Sequence, residues 1–350
     1  VAAGYAAELD DVLLGLMAWL DRDAAPARHE LLGCERPATG YSGETLLVDV
    51  RVVDDDGTHD ERLAVKLPPT GPAIFPVYDH VLQAGVQEAV AAAGIPAAVP
   101  ARAELDPGWI GRPFLVMAAV EGDIFGEIPV LDRRLKGAEP HENAKVHTGY
   151  LDVLAAIHRV DWAGSGLAGV VPRRDNAAEV AHWRAYLAWY TDGTSVVPAL
   201  VEALDWCEAN RPVAEPEPSL LWGDVRLGNV VFGADRVPVA VLDWEMATIG
   251  SAEHDLAWAL TLQGTQDELI GRTLPGFLDH DASVRRYEVG LGRPVADLEW
   301  YEIFAMVRST AIMTRITYLN DLRGEPAMLP IADNPILDQL ARRIEAAARS

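Results

Sequence analysis

Residues 220–260 read LLWGDVRLGNVVFGADRVPVAVLDWEMATIGSAEHDLAWAL, a strand-rich interruption in a half of the chain otherwise patterned for long helices. Two short apolar runs flank the turn Gly233-Ala234-Asp235-Arg236, so they predict a hairpin. The hairpin fixes a neighbourhood. Asn229 precedes its first strand and Asp243 follows its second, so antiparallel pairing returns both to the same open end, with Asp224 five positions before Asn229. Polar groups on short connections beside apolar strands are placed to face a ligand rather than a core.

The rest of the chain divides by element type. Residues 41–53 show strand-like alternation, 54–57 (DDDG) give a turn, and 63–67 (LAVKL) give the return strand, stopped by Pro68-Pro69. A helix is predicted over 79–93, ending at Gly94-Ile95-Pro96, and a strand over 113–117. Before them, residues 12–20 form an apolar stripe flanked by Asp10, Asp11 and Asp21, which reads as an amphipathic helix and not a signal peptide. From about 148 onward the pattern becomes helical, over 148–159, 177–190, 197–210 and 297–319. In the second of these, Trp183, Tyr186, Leu187 and Tyr190 share a face, either as core or as the lining of a substrate site. The expected fold is therefore α+β and bilobal, with a small sheet-rich lobe over 1–117 and a larger, mainly helical lobe over 118–350.

Composition narrows the partners. With 29 Lys and Arg against 53 Asp and Glu, the net charge of −24 argues against a sequence-independent nucleic-acid binder, which needs clustered cations. No run of about 18 uncharged apolar residues is present, so no membrane span is expected and the cytoplasm is the expected compartment. Cys34 and Cys207 have neither metal spacing nor a disulfide framework, and read as two reduced thiols.

Carboxylate and amide oxygens grouped at one hairpin end suit phosphoryl transfer, which asks the protein mainly to position two oxygens and neutralise charge. Asp224-Val225-Arg226-Leu227-Gly228-Asn229 followed by Leu242-Asp243-Trp244-Glu245 resembles the aminoglycoside phosphotransferase and choline kinase group of the protein-kinase-like fold. In particular it resembles the phosphotransferase domains found beside or fused to acyl-CoA dehydrogenases. The likeness covers most of 39–260 and fades in the C-terminal helices, where the acceptor is chosen.

That resemblance implies a small-molecule kinase that transfers the γ-phosphoryl of ATP or GTP to a hydroxyl of a metabolite or antibiotic. It implies Asp224 as base, Asn229 and Asp243 as Mg²⁺ ligands, and Lys66 as the lysine on the nucleotide phosphates. It further implies that Ser42 and Gly43, in the loop Gly40-Tyr41-Ser42-Gly43-Glu44-Thr45, approach the phosphates, and that the backbone near Ala118 and Val120 meets adenine. Arg226 either neutralises the transferred phosphoryl group, the favoured reading, or braces Asp243. Asp255 is given a structural role in holding the Asp224 loop, at a helix start where Ser251 is the natural N-cap. His158 is expected as a packed helix-end residue, Glu245 either reaches the metal through water or faces solvent, and Arg308 and Arg315, seven apart on one helix face, are expected to be solvated, the alternative being contact with an anionic group of the acceptor.

Two positions depart from the family pattern. Trp222 stands where a loop-supporting His is usual, so its indole N–H must find a partner of its own. Gln83, with Glu88 as the weaker candidate, stands where a Glu normally pairs with the lysine. A non-catalytic nucleotide-binding protein and a metal-dependent phosphoester hydrolase are the alternative readings.

Overall fold

The computed structural model describes residues 2–22, 27–37, 42–55, 57–191, 197–326 and 334–349, with side chains from residue 9 onward. It is bilobal and α+β, as expected. The first part contains helix α1 (Ala2–Arg22), strands β1 (Arg28–Glu35), β2 (Glu44–Asp54) and β3 (Gly57–Leu67), helix α2 (His80–Ala92), and strands β4 (Ala101–Glu104) and β5 (Phe114–Ala118). These five strands make one antiparallel sheet in the order β1-β2-β3-β5-β4. β1 carries no clean alternation, which is why the pattern 28–35 does not announce a strand; its edge position leaves most of it half-buried or exposed.

Alternation along β2 and β3 sends Leu46, Val48, Val50, Leu63, Val65 and Leu67 to one face of the sheet. There they meet Val12, Leu13, Leu16, Trp19 and Leu20 of α1. Helix α2 covers the opposite face through Ala84 against Ala64, Leu115 and Met117. Asp79 caps α2 by accepting a hydrogen bond from the Leu82 amide.

Glu104 fastens α1 to the sheet edge, accepting from Trp19 Nε1 at 2.7 Å and Arg22 Nη1 at 2.8 Å. The Asp106 amide, which also donates to it, holds its carboxyl down at about 2 against the opposing effect of burial. A depressed folded pKa contributes stability that is complete above the ordinary glutamate range and lost as the pH falls towards the folded value. Glu104→Gln should therefore lower Tm at pH 7, and the gap between variant and parent should shrink as the pH drops from about 5 to about 3. Thermal unfolding followed across that range checks this.

The larger part follows. It contains β6 (Asp123–Ile124), α3 (Arg133–Lys136), α4 (Pro140–Ile157), α5 (Asn176–Thr191), α6 (Pro198–Ala209), β7 (Ser219–Leu221), β8 (Val230–Phe232), β9 (Pro238–Val241) and β10 (Thr248–Gly250). Helices α7 (Glu253–Ile270), α8 (His280–Leu291), α9 (Leu298–Arg323) and α10 (Pro335–Ala347) complete it. α4 begins eight residues before the predicted helix, because Pro140 at its first turn and a reciprocal Glu139–Glu142 capping box start it. α7 begins after Ala252, not Ser251. The predicted hairpin is present as β8–β9, with Val230 opposite Val241, and β6 adds a third strand beside β8.

Tyr186 and Trp183 are buried in the main core, so the aromatic stripe of α5 is packing. The loop between β3 and α2 also docks on this part: Tyr186 Oη donates to the Ile74 carbonyl at 3.0 Å and Arg315 Nε to the Ala73 carbonyl at 2.8 Å. No helix among the described residues is long and apolar enough to cross a membrane.

Candidate active site

The hairpin delivers what its spacing predicts. The Leu242 amide donates to the Asn229 carbonyl at 2.8 Å, which puts Asn229 and Asp243 side by side at its open end. The Asn229 amide group donates to the Asp224 carbonyl (3.1 Å) and to Asp224 Oδ2 (2.9 Å). That orientation leaves Asn229 Oδ1 as an acceptor, and Arg226 Nη2 donates to it over a long 3.4 Å. Arg226 grips the Asp224 carboxylate through Nε, at 2.9 and 2.8 Å, and pairs with Glu127 at 2.6 Å. Its hydrogen bonds within the loop go to Asp224 and Asn229, so the brace it provides is on that pair and not on Asp243.

Lys66 reaches across from β3 to this cluster. Its Nζ donates to Asp243 Oδ1 at 2.8 Å and to Gln83 Oε1 at 3.3 Å, so Gln83 is the lysine's partner on α2. Glu88 accepts from the Ala101 amide instead. Burial opposes the lysine's charge, but the carboxylates of Asp243 and Glu245 outweigh it and raise the Lys66 pKa. Burial likewise opposes charge on Asp243, and Lys66 reverses that effect and lowers its pKa. Among the described residues Glu245 has no ion pair. Burial first, then the negative charge of Asp243, pushes its carboxyl up to about 8, while Ser42 hydrogen-bonds it. Glu245 is half-buried between these groups and does not face open solvent.

Asp243 has φ 63°, a left-handed conformation that costs a non-glycine residue about 1–2 kcal/mol. The neighbourhood holds it there. Trp222, fully buried, donates its indole N–H to the carbonyls of Leu242 at 2.8 Å and Asp243 at 3.2 Å. Its ring lies 6.1 Å from that of Trp244, also fully buried, whose own N–H reaches the Val241 carbonyl. The tryptophan in the place of histidine thus supports the loop by packing and by one bifurcated donor.

The start of the loop is fixed from below. Asp255 accepts from the Trp222 amide at 2.7 Å and the Gly223 amide at 3.1 Å. His158, at the end of α4, bridges Asp255 (3.1 Å) and the Tyr287 hydroxyl (2.5 Å). Gly223 has φ 90°, and a Cβ there would collide with the Met246 carbonyl, so only glycine fits.

In the small lobe Ser42 lies by Glu245, and Gly43 is crowded, since a Cβ would come within 2.6 Å of the Leu67 carbonyl. Gly40 and Tyr41 of the same loop lie outside the described residues. Ala118 ends β5 with its amide bonded to the Pro100 carbonyl, and the Ala119 amide bonds that of Arg62. Val120 follows, half-buried. Arg308 and Arg315 correct the sequence reading. Both are buried, at 3% and 7% exposure, because they sit among tryptophan and tyrosine rings from α5, α7 and α9 that the pattern of α9 alone does not reveal.

A protein-kinase-like bilobal fold with an acid, an amide and a lysine converging on one cleft defines a phosphotransferase. The chain belongs to the phosphotransferase enzyme family, whose family model matches residues 37–290. It is 28% identical over 282 residues to acyl-CoA dehydrogenase family member 10 of Mus musculus, covering 76% of this chain and 25% of that protein. The chain thus spans about a quarter of the length of that relative. A solved putative aminoglycoside phosphotransferase from Ralstonia eutropha shares the fold, with a TM-score of 0.71 at 21% identity, covering 95% of this chain and 98% of that one. The GDP complex of wild-type aminoglycoside 2'-phosphotransferase-IIIa also shares it, with a TM-score of 0.53 at 13% identity and coverage of 97% and 99%.

Proposed function

We propose that the chain transfers the γ-phosphoryl group of ATP or GTP, with magnesium, to a hydroxyl of a small molecule. The observation that carries the reading is the cluster in which Lys66 meets Asp243 while Asn229 orients Asp224. Residues 1–117 form the nucleotide lobe and 118–350 the catalytic and acceptor lobe. Asp224 takes up or orients the proton of the attacking hydroxyl, and Arg226 neutralises charge on the phosphoryl group. Lys66 meets the phosphates, with Ser42 and Gly43 beside them, and the backbone at Ala118 and Val120 meets the base.

Magnesium fits the donor set. Asn229 Oδ1 and the Asp243 carboxylate are hard oxygen donors, adjacent across one hairpin end, and this ion is commonly held by one or two carboxylates plus substrate phosphates. Held by Asn229 and Asp243, it would supply positive charge that offsets the charge of the transferred phosphate. GDP complexes occur among the fold relatives, and they support a nucleotide here without choosing between ATP and GTP.

The test is a magnesium-dependent nucleotide-consumption screen over hydroxylated metabolites and antibiotics, with Asp224→Asn beside the parent. Turnover of at least one acceptor above the variant supports the reading, and none sinks it. Lys66→Ala should weaken MgATP or MgGTP binding at least about tenfold, since one charge-assisted contact supplies about 1.5–3 kcal/mol. Unchanged affinity by calorimetry would remove Lys66 from the phosphate site.

A further inference from the structure

Arg308 is a buried cation that the reaction scheme leaves unused. It sits on α9 at 3% exposure, and among the described residues no carboxylate lies within salt-bridge distance of it. Its nearest acids are engaged elsewhere: Glu179 pairs with Arg174 at 2.9 Å, and Asp255 accepts from the amides of Trp222 and Gly223. Instead of an acid, rings surround it. The guanidinium carbon lies 4.8 Å from the Trp258 centroid, 5.4 Å from Trp183 and 5.9 Å from Phe304, on α7, α5 and α9. Among the described residues Arg308 Nε has no hydrogen-bond partner, and neither do the indole nitrogens of Trp183 and Trp258.

Among the described residues the polar contact of this side chain runs from Nη2 to the Gly223 carbonyl at 3.5 Å. A buried charge without a direct ion pair is costly even with the carboxylates of Glu179 and Asp255 nearby, so a guanidinium kept in such a place is a feature with a task. Its place indicates the task. Gly223 immediately precedes Asp224, its N–H is held by the Asp255 carboxylate, and its carbonyl faces Arg308. Charges of opposite sign thus hold the two polar groups of one glycine whose left-handed φ no other residue would adopt as readily.

We propose that Arg308 is a positioning residue for phosphoryl transfer: from its aromatic cage it anchors the Gly223–Asp224 peptide and so fixes where the Asp224 carboxylate stands. This rests on the phosphotransfer reading above. Arg308 touches no reacting atom. Its effect passes through the backbone, and it joins α5, α7 and α9 to the loop that carries Asp224. The sandwich of rings orients the guanidinium plane, which a lysine ammonium cannot reproduce, although it keeps the charge.

The experiment uses the full chain with Arg308→Lys, Arg308→Met, Asp224→Asn and the Met/Asn double variant. Magnesium-dependent phosphate release from ATP and GTP is the probe, with water as acceptor. Arg308→Met should lower kcat about 10²-fold with KM for the nucleotide within about twofold, because misplacement of a reacting group costs turnover and not binding. Arg308→Lys should recover to within about tenfold of the parent, and the double variant should be no slower than Asp224→Asn alone. Parental kcat in a folded Arg308→Met, Lys no better than Met, or additive losses in the double variant would each overturn the proposal.

A second readout does not depend on turnover. In folded Arg308→Lys, amide exchange followed by mass spectrometry should quicken over residues 222–229 while that of α5 stays at the parent's rate. Equal exchange over 222–229 overturns the proposal, and so does faster exchange spread equally through α5. If Arg308→Met does not fold, Arg308→Lys and exchange decide. If the parent shows no Asp224-dependent phosphate release, exchange alone decides whether Arg308 anchors the loop, while the acceptor screen above decides the phosphotransfer reading separately.

Discussion

Asp224→Asn is expected to lower turnover by about 10²–10⁴-fold at saturating nucleotide and acceptor, the range that a positioned acid or base contributes. Asp224 is 7% exposed, and its carboxylate receives Arg226 Nε on both oxygens and the Asn229 amide group on one. Asparagine keeps the size but loses the charge and half of the acceptor capacity, so its NH₂ faces donors. Arg226 retains Glu127 at 2.6 Å, which keeps the guanidinium anchored in the variant. Nucleotide affinity should therefore stay within about threefold of the parent, and the loss should fall on kcat. Rapid-quench measurement of phosphoryl transfer with calorimetric nucleotide titration separates the two. A variant that keeps more than about a tenth of parental turnover would remove Asp224 from the chemistry.

The second large effect is on stability. Trp222→Ala should cost about 3–5 kcal/mol, the range for deleting a large buried aromatic side chain. Trp222→Phe isolates the polar part of that role. It keeps most of the packing but removes the donor to the Leu242 and Asp243 carbonyls, which should cost about 1–3 kcal/mol. Because those carbonyls flank the left-handed Asp243, Trp222→Phe should also weaken magnesium dependence: more metal should be needed for half-maximal turnover. Denaturant unfolding gives the first quantity and a magnesium titration of activity the second. A Phe variant as stable as the parent, with the same magnesium requirement, would show that the indole N–H holds nothing that matters.

The two effects differ in kind because the residues occupy different layers. Asp224 stands in the cleft and does little for the core. Trp222 lies beneath the cleft, between the hairpin end and the core, so its removal opens a cavity and frees the turn that presents Asp243.

Much of this was legible in residue order. The hairpin needed only the turn after Phe232 and two apolar runs, and short-range pairing then placed Asn229 beside Asp243. Lys66 stood out because the chain holds few lysines and this one ends an apolar strand. The Trp222 donor requirement was foreseeable too, since a buried indole seeks an acceptor, but which carbonyls it would take was not. Strand β1 was missed because a largely exposed edge strand shows no alternation. The arginines of α9 were misread for the opposite reason. Their surroundings come from three helices, α5, α7 and α9, separated in sequence by up to about 130 residues, and no local period encodes such a cage.

The sequence by itself determined the bilobal α+β architecture, the hairpin and the set of oxygen donors it carries, because those follow from periodicity and pairing over short distances. Tertiary structure alone decided that Lys66 bonds Asp243, that Arg226 holds Asp224, and that Arg308 is buried beneath Gly223. Those contacts join residues brought together by packing of whole elements, and burial changes the energy of a charge by more than any neighbour in the chain can signal.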